Sequence, residues 1–209
     1  ARDLALAEQT GARVHFRGLS TARAAAMLAE ARIRGLSVSA DVAAHQLWLS
    51  EDAVAGFNAD AHLIPPLRTA ADRDALRAAV AAGEITAICS DHQPHEPDAK
   101  LNPFPQTEPG MSALETLLPL VLGLVRDEVL DLCDAVACIT ANPAAILDRP
   151  LGRLQPGAVA DVCVFDPHAP WVVGEDTLVS RGKNTPLRGV ELTGRVRWTL
   201  LAGRVVHEG

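Results

Sequence analysis

A helical pattern of apolar positions fits residues 1–11, and the alternation in Ala12-Arg-Val-His-Phe-Arg-Gly18 predicts a strand after it. Leu19-Ser-Thr21 offers an N-cap to the alanine-rich helix expected over 22–34, and Gly35 closes that helix. A second strand is predicted over 36–42, running into Ala43-Ala-His-Gln46. A looser segment with Gly56 and Asn58 leads to Ile64-Pro-Pro-Leu-Arg68, where the two prolines exclude a helix or a central strand. Thr69 caps a helix over 70–82 and Gly83 stops it. Glu84-Ile-Thr-Ala-Ile-Cys-Ser90 then shows the β-branched, nearly uncharged run of a strand buried on both faces. Helices are expected over 112–125 and 129–137, with a short one after Asn142-Pro143. This alternation predicts a parallel α/β architecture.

The pattern changes near Leu147-Asp-Arg-Pro150. Beyond it, regularly spaced glycines separate short runs such as Asp161-Val-Cys-Val-Phe165 and Arg195-Val-Arg-Trp-Thr-Leu-Leu201, which read as strands joined by turns. Residues 151–209 are therefore expected to form a small β domain behind an α/β unit at 1–150. A (β/α)₈ barrel of about 250 residues allots roughly 31 to each unit, so the first 150 residues supply fewer than five. On that arithmetic the α/β unit is the C-terminal half of a TIM-type barrel; an open doubly wound sheet is the alternative.

With 48% hydrophobic residues among 209, the chain has ample material for a core. Its net charge of −7 lacks the basic footprint of a nucleic-acid binder. The longest apolar stretch, 114–125, is broken by Glu115, Pro119 and Gly123 and cannot span a bilayer. The first residues carry no basic-then-apolar leader pattern. Cys89, Cys133, Cys138 and Cys163 sit in apolar segments without CxxC spacing, which suits reduced core thiols and a cytoplasmic location.

The densest polar group is Ser90-Asp91-His92-Gln93-Pro94-His95, at the carboxyl end of the buried strand, where parallel α/β proteins open their binding loops. An Asp and two His within five residues have the chemistry to hold a divalent metal or run acid/base catalysis; a capped polar turn is the bland alternative. His15, in mid-strand, and His45, just past the second strand, are weaker candidates. Thr107-Glu-Pro-Gly-Met111 precedes an expected helix and so offers backbone N–H groups to a carboxylate, although Pro109 and Gly110 also make an ordinary turn. His62, His168 and His207 read as surface or turn residues.

Asp91-His-Gln-Pro-His95, Asp98-Ala-Lys100, Pro103-Phe104, Glu108-Pro-Gly110, Leu114-Glu-Thr116 and Leu118-Pro119 together resemble the dihydroorotases, members of the amidohydrolase superfamily. Leu19-Ser-Thr21, Pro65-Pro-Leu-Arg68, Asp72-Arg73, Asn142-Pro-Ala144, Gly157-Ala-Val-Ala-Asp161 and Asn184-Thr-Pro186 continue the likeness in order. The resemblance implies a (β/α)₈ barrel with a composite β domain and a site for one or two zinc ions. It also implies reversible hydrolysis of dihydroorotate to N-carbamoyl-L-aspartate, with an Asp carrying the proton. Zinc supplies hydroxide there by lowering the pKa of bound water to about 7. By position Asp91 matches the catalytic, metal-facing Asp, His95 a substrate-contacting His, and Pro109 and Gly110 the backbone that meets the substrate carboxylate. Hydantoinases and allantoinases fit the surroundings of residues 98–100 and 114–116 less well.

The departures from the family pattern carry as much information. Gly18 stands where the family has a zinc-binding His, and His15, an odd number of residues earlier, is expected on the opposite strand face. Ile64 replaces a substrate-binding Asn, and Gln46 replaces a His. The resemblance is therefore to degenerate, dihydroorotase-like chains that serve aspartate carbamoyltransferase as a scaffold. Such a chain would be oligomeric, would need the N-terminal half of its own barrel, and could have lost its zinc. An active zinc dihydroorotase with a small-molecule substrate is the alternative.

Overall fold

The computed structural model describes residues 1–209. Three short parallel strands, β1 (Val14–Phe16), β2 (Val38–Ala43) and β3 (Ala87–Cys89), pair in the order β1-β2-β3, with Val14 opposite Val38 and Asp41 opposite Ala87. Helix α1 (Arg2–Thr10) precedes β1, α2 (Ala22–Ile33) joins β1 to β2, and α3 (Ala70–Ala81) follows β2. Strands that pair in chain order and are joined by helices make consecutive units of a TIM-type barrel. The order reversal of a doubly wound sheet is absent.

The helix starts follow their caps. Thr21 Oγ1 accepts the Ala24 N–H at 3.2 Å, and Thr69 Oγ1 accepts the Asp72 N–H at 3.2 Å. The Asp72 carboxylate also accepts the Ala22 N–H at 2.9 Å and the Thr69 hydroxyl at 2.8 Å, so one side chain serves the first turns of both α2 and α3. These bonds, led by that from Ala22, hold its carboxyl below the usual range.

Two helices begin later than the pattern predicts. The one expected from Ser112 is α4 (Leu117–Arg126), because residues ahead of it are bonded elsewhere. Ser112 N–H donates to the Asn184 carbonyl, and the Ala113 and Leu114 N–H groups donate to His92 Nδ1. The one expected from Val129 is α5 (Leu132–Ile139), capped by Asp131, whose carboxylate accepts the Asp134 N–H at 2.8 Å. A short α6 (Ala141–Ile146) follows.

An antiparallel sheet of β4 (Val162–Val172), β5 (Glu191–Leu201) and β6 (Arg204–Glu208) occupies the tail. Strand β4 extends beyond the run 161–165 read from the sequence, through Pro167 and Pro170. It is an edge strand, and its register shifts between Asp166 and Pro170, so the prolines leave no central donor unpaired. The two parts share one core, in which Val42, Leu76, Ile85, Met111 and Leu124 pack in a cluster with Val173, Leu178, Leu187 and Leu192. Cys138 is buried, but Cys133 and Cys163 are exposed, contrary to their expected core positions; all four thiols are free. No helix is long and apolar enough to cross a membrane.

Candidate active site at the carboxyl ends of the parallel strands

The site begins on β2, where Asp41 is buried. Its Oδ2 accepts from His15 Nε2 at 3.0 Å, and its Oδ1 accepts the Gly18 N–H at 2.7 Å and the Cys89 thiol at 3.5 Å. His15 Nδ1 meets Ser39 Oγ at 2.8 Å. A Cβ at Gly18 would face Pro65, whereas the His15 ring faces Ser39 and Asp41, so His15 does not stand in for a side chain at 18. Regular strand geometry stops at Phe16, and Gly18 turns at φ +68°, so the imidazole and the Gly18 amide converge on one carboxylate. Burial and the carboxylates of Asp41 and Asp91 push the Cys89 thiol up to about 12, so it stays protonated.

Above this layer, Asp91 follows β3 with φ +45°, a left-handed conformation that Asp tolerates better than most residues. Its Oδ1 accepts Arg17 Nη2 at 2.9 Å and Gln93 Nε2 at 3.3 Å. His45 is buried, and its Nδ1 has no hydrogen-bond partner. Burial lowers its imidazole to about 4 despite the opposing pull of the Asp91 charge, so His45 is neutral at neutral pH.

The run 90–95 does not act as one cluster. His92 turns away from Asp91: its Nδ1 accepts two backbone N–H groups, and its Nε2 lies 3.4 Å from Ser180 Oγ, which donates in turn to Glu115. His95 Nε2 donates to the Pro109 carbonyl at 3.0 Å. The Gly110 N–H donates to the His62 carbonyl at 2.8 Å, while its own carbonyl accepts Asn184 Nδ2 at 3.0 Å and Lys100 Nζ at 2.8 Å. Gly110 has φ +126°, and a Cβ there would fall 2.5 Å from the Gln93 Cβ, so a glycine is required. Ile64 is 65% exposed, and Gln46 is buried with its amide donating to the Pro65 carbonyl at 3.1 Å. His62, expected at the surface, is half-buried, hydrogen-bonded to Thr107 Oγ1 at 2.7 Å and stacked on Phe104.

This geometry can be set beside known proteins. A sequence profile of the amidohydrolase family matches residues 37–206. The chain belongs to the amidohydrolase family. It is 52% identical over 207 residues to a dihydroorotase-like protein of Pseudomonas putida and 42% identical to a dihydroorotase of Syntrophotalea carbinolica, covering 99% of this chain and 49% of each relative. This amidohydrolase chain thus spans about half the length of the curated relatives it matches. Among solved structures it superimposes with a TM-score of 0.92 on both a dihydropyrimidinase from Brevibacillus agri, at 25% identity, and an L-hydantoinase from Arthrobacter aurescens, at 26%. Each match covers 99% of this chain and 47% of the other.

Many amidohydrolases hold metal at these strand ends, but the residues of this amidohydrolase chain do not make a metal site by themselves. No three His, Cys, Asp or Glu side chains are disposed to hold a metal ion, Gly18 has no side-chain donor to offer, and Asp91 Oδ1 is held by a guanidinium.

Three contributors escaped the sequence reading. Arg17 carried no motif, being an exposed position next to a strand end. Asn184 ties the 93–95 segment to Gly110, accepting the His95 N–H at 2.8 Å and donating to the Gln93 and Gly110 carbonyls. Lys100 donates to the carbonyls of Ala59, Glu108 and Gly110, and burial lowers its pKa. Both residues stood in the family-like motifs, but nothing in their spacing told of backbone clamps.

Proposed function

We propose that this chain is part of a dihydroorotase-like protein of pyrimidine biosynthesis whose own site is catalytically silent and which serves aspartate carbamoyltransferase as a scaffold, in a cytoplasmic oligomer. The observation that carries this reading is the pairing of Asp91, the residue matched to the proton-carrying Asp, with Arg17, beside a Gly18 that offers no ligand. A carboxylate oxygen held by a guanidinium is less available to a metal ion. The exposed Ile64 adds no hydrogen bond for a pyrimidine ring. The name of the Pseudomonas putida relative, dihydroorotase-like protein, agrees with this.

The test is dihydroorotate turnover by the full-length protein in both directions, with added zinc and an Asp91→Ala control. No turnover, together with co-purifying aspartate carbamoyltransferase, is the expected result; turnover abolished by the substitution overturns it. A second reading, an active zinc dihydroorotase, draws on the retained loop in which His95 is joined to Pro109 beside Gly110, the residues matched to substrate contacts. It requires stoichiometric zinc in the full-length protein.

A further inference from the structure

The Arg17–Asp91 pair has a particular place in the fold. Arg17 lies just past β1 and Asp91 just past β3, so the guanidinium reaches over β2 to join the two outer strands of the parallel sheet. Beneath it, Asp41 of β2 makes a second tie, to His15 of β1 and to Cys89 of β3. The Cys89 thiol thus lies between the two ties, against the Asp41 carboxylate. The Asp91 side chain is 16% exposed, its amide partner Gln93 is uncharged, and His45 is neutral at neutral pH. A carboxylate so withdrawn from water needs a cation, and Arg17 is the cation that touches it.

We propose that the Arg17 guanidinium is the resident counter-charge of Asp91, taking the part a divalent cation would otherwise take, and that it holds the ends of β1 and β3 together across β2 without metal. This rests on the reading of a silent site given above. A guanidinium suits the task because it is always charged and sits on a long side chain, so one residue neutralises the carboxylate while spanning the sheet. Binding a divalent cation at Asp91 Oδ1 then first requires breaking this pair.

The experiment is a thermal unfolding cycle on the full-length protein with Arg17→Ala, Asp91→Asn and the double variant, each with EDTA and with added zinc. Asn is chosen because it tolerates the left-handed backbone at position 91. The wild-type midpoint should be unmoved by EDTA or zinc. Arg17→Ala should lower it by at least about 2 °C, Arg17→Lys should lose less, and adding Asp91→Asn to Arg17→Ala should restore it, because the uncompensated charge is then gone. Additive losses in the double variant, or a wild-type midpoint that zinc raises and Asp91→Asn abolishes, overturn the proposal. Dihydroorotate turnover with a restoring double variant would instead overturn the silent-site reading and leave the counter-charge standing.

Discussion

His45 shows how much one buried side chain governs. Its imidazole titrates near 4 in the folded chain against 6.5 in the open one, so between these values the unfolded state binds the extra proton and stability falls as pH falls. The shift corresponds to about 3 kcal/mol lost by pH 4 and nothing above pH 7. His45→Gln should flatten the acid limb of a stability profile between pH 4 and 6.5, measured by denaturant melts. An unchanged limb would place the sensitivity in other groups. Gly110 acts through space instead of charge. Gly110→Ala would drive a methyl into Gln93 and impose a left-handed backbone, so it should be among the most destabilising single changes in the loop, with a lowered melting midpoint as the readout.

At the scale of elements, Asp72 is the economical piece, since one carboxylate serves the first turns of α2 and α3. Asp72→Ala should cost about 1 kcal/mol and loosen both helix starts, seen as faster amide exchange at Ala22 and Ala24 as well as in α3. This also explains what was legible beforehand. Elements bounded by local chemistry, such as α2 behind Thr21 and α3 behind Thr69, were readable within a residue or two. Elements bounded by distant partners were not: α4 starts late because His92 and Asn184, far away in the chain, take the amides ahead of it. The site followed the same rule. Asp91 stood in a recognisable run, but its partner Arg17 lies 74 positions away and is chosen by sheet order, which no local pattern reveals.

For the molecule as a whole, β1 and β3 each keep an unpaired edge, while Val205 and Val206 of the tail sheet are exposed. The 209-residue chain made alone should therefore self-associate, as light scattering would show; a monodisperse monomer with cooperative unfolding would mean these edges are harmless. The two sides of residue 150 share a core, so they should unfold together rather than as separate transitions. The left-handed turn at Gly18 has a consequence in evolutionary time. Any side chain placed at that position meets a backbone that disfavours it by roughly 1–2 kcal/mol, next to an arginine engaged with Asp91. Placing a ligand there requires turn, arginine and new residue to change together. On the proposed silent-site reading this works as a ratchet, and descendants of this chain should diverge on their surfaces sooner than they acquire chemistry at this position.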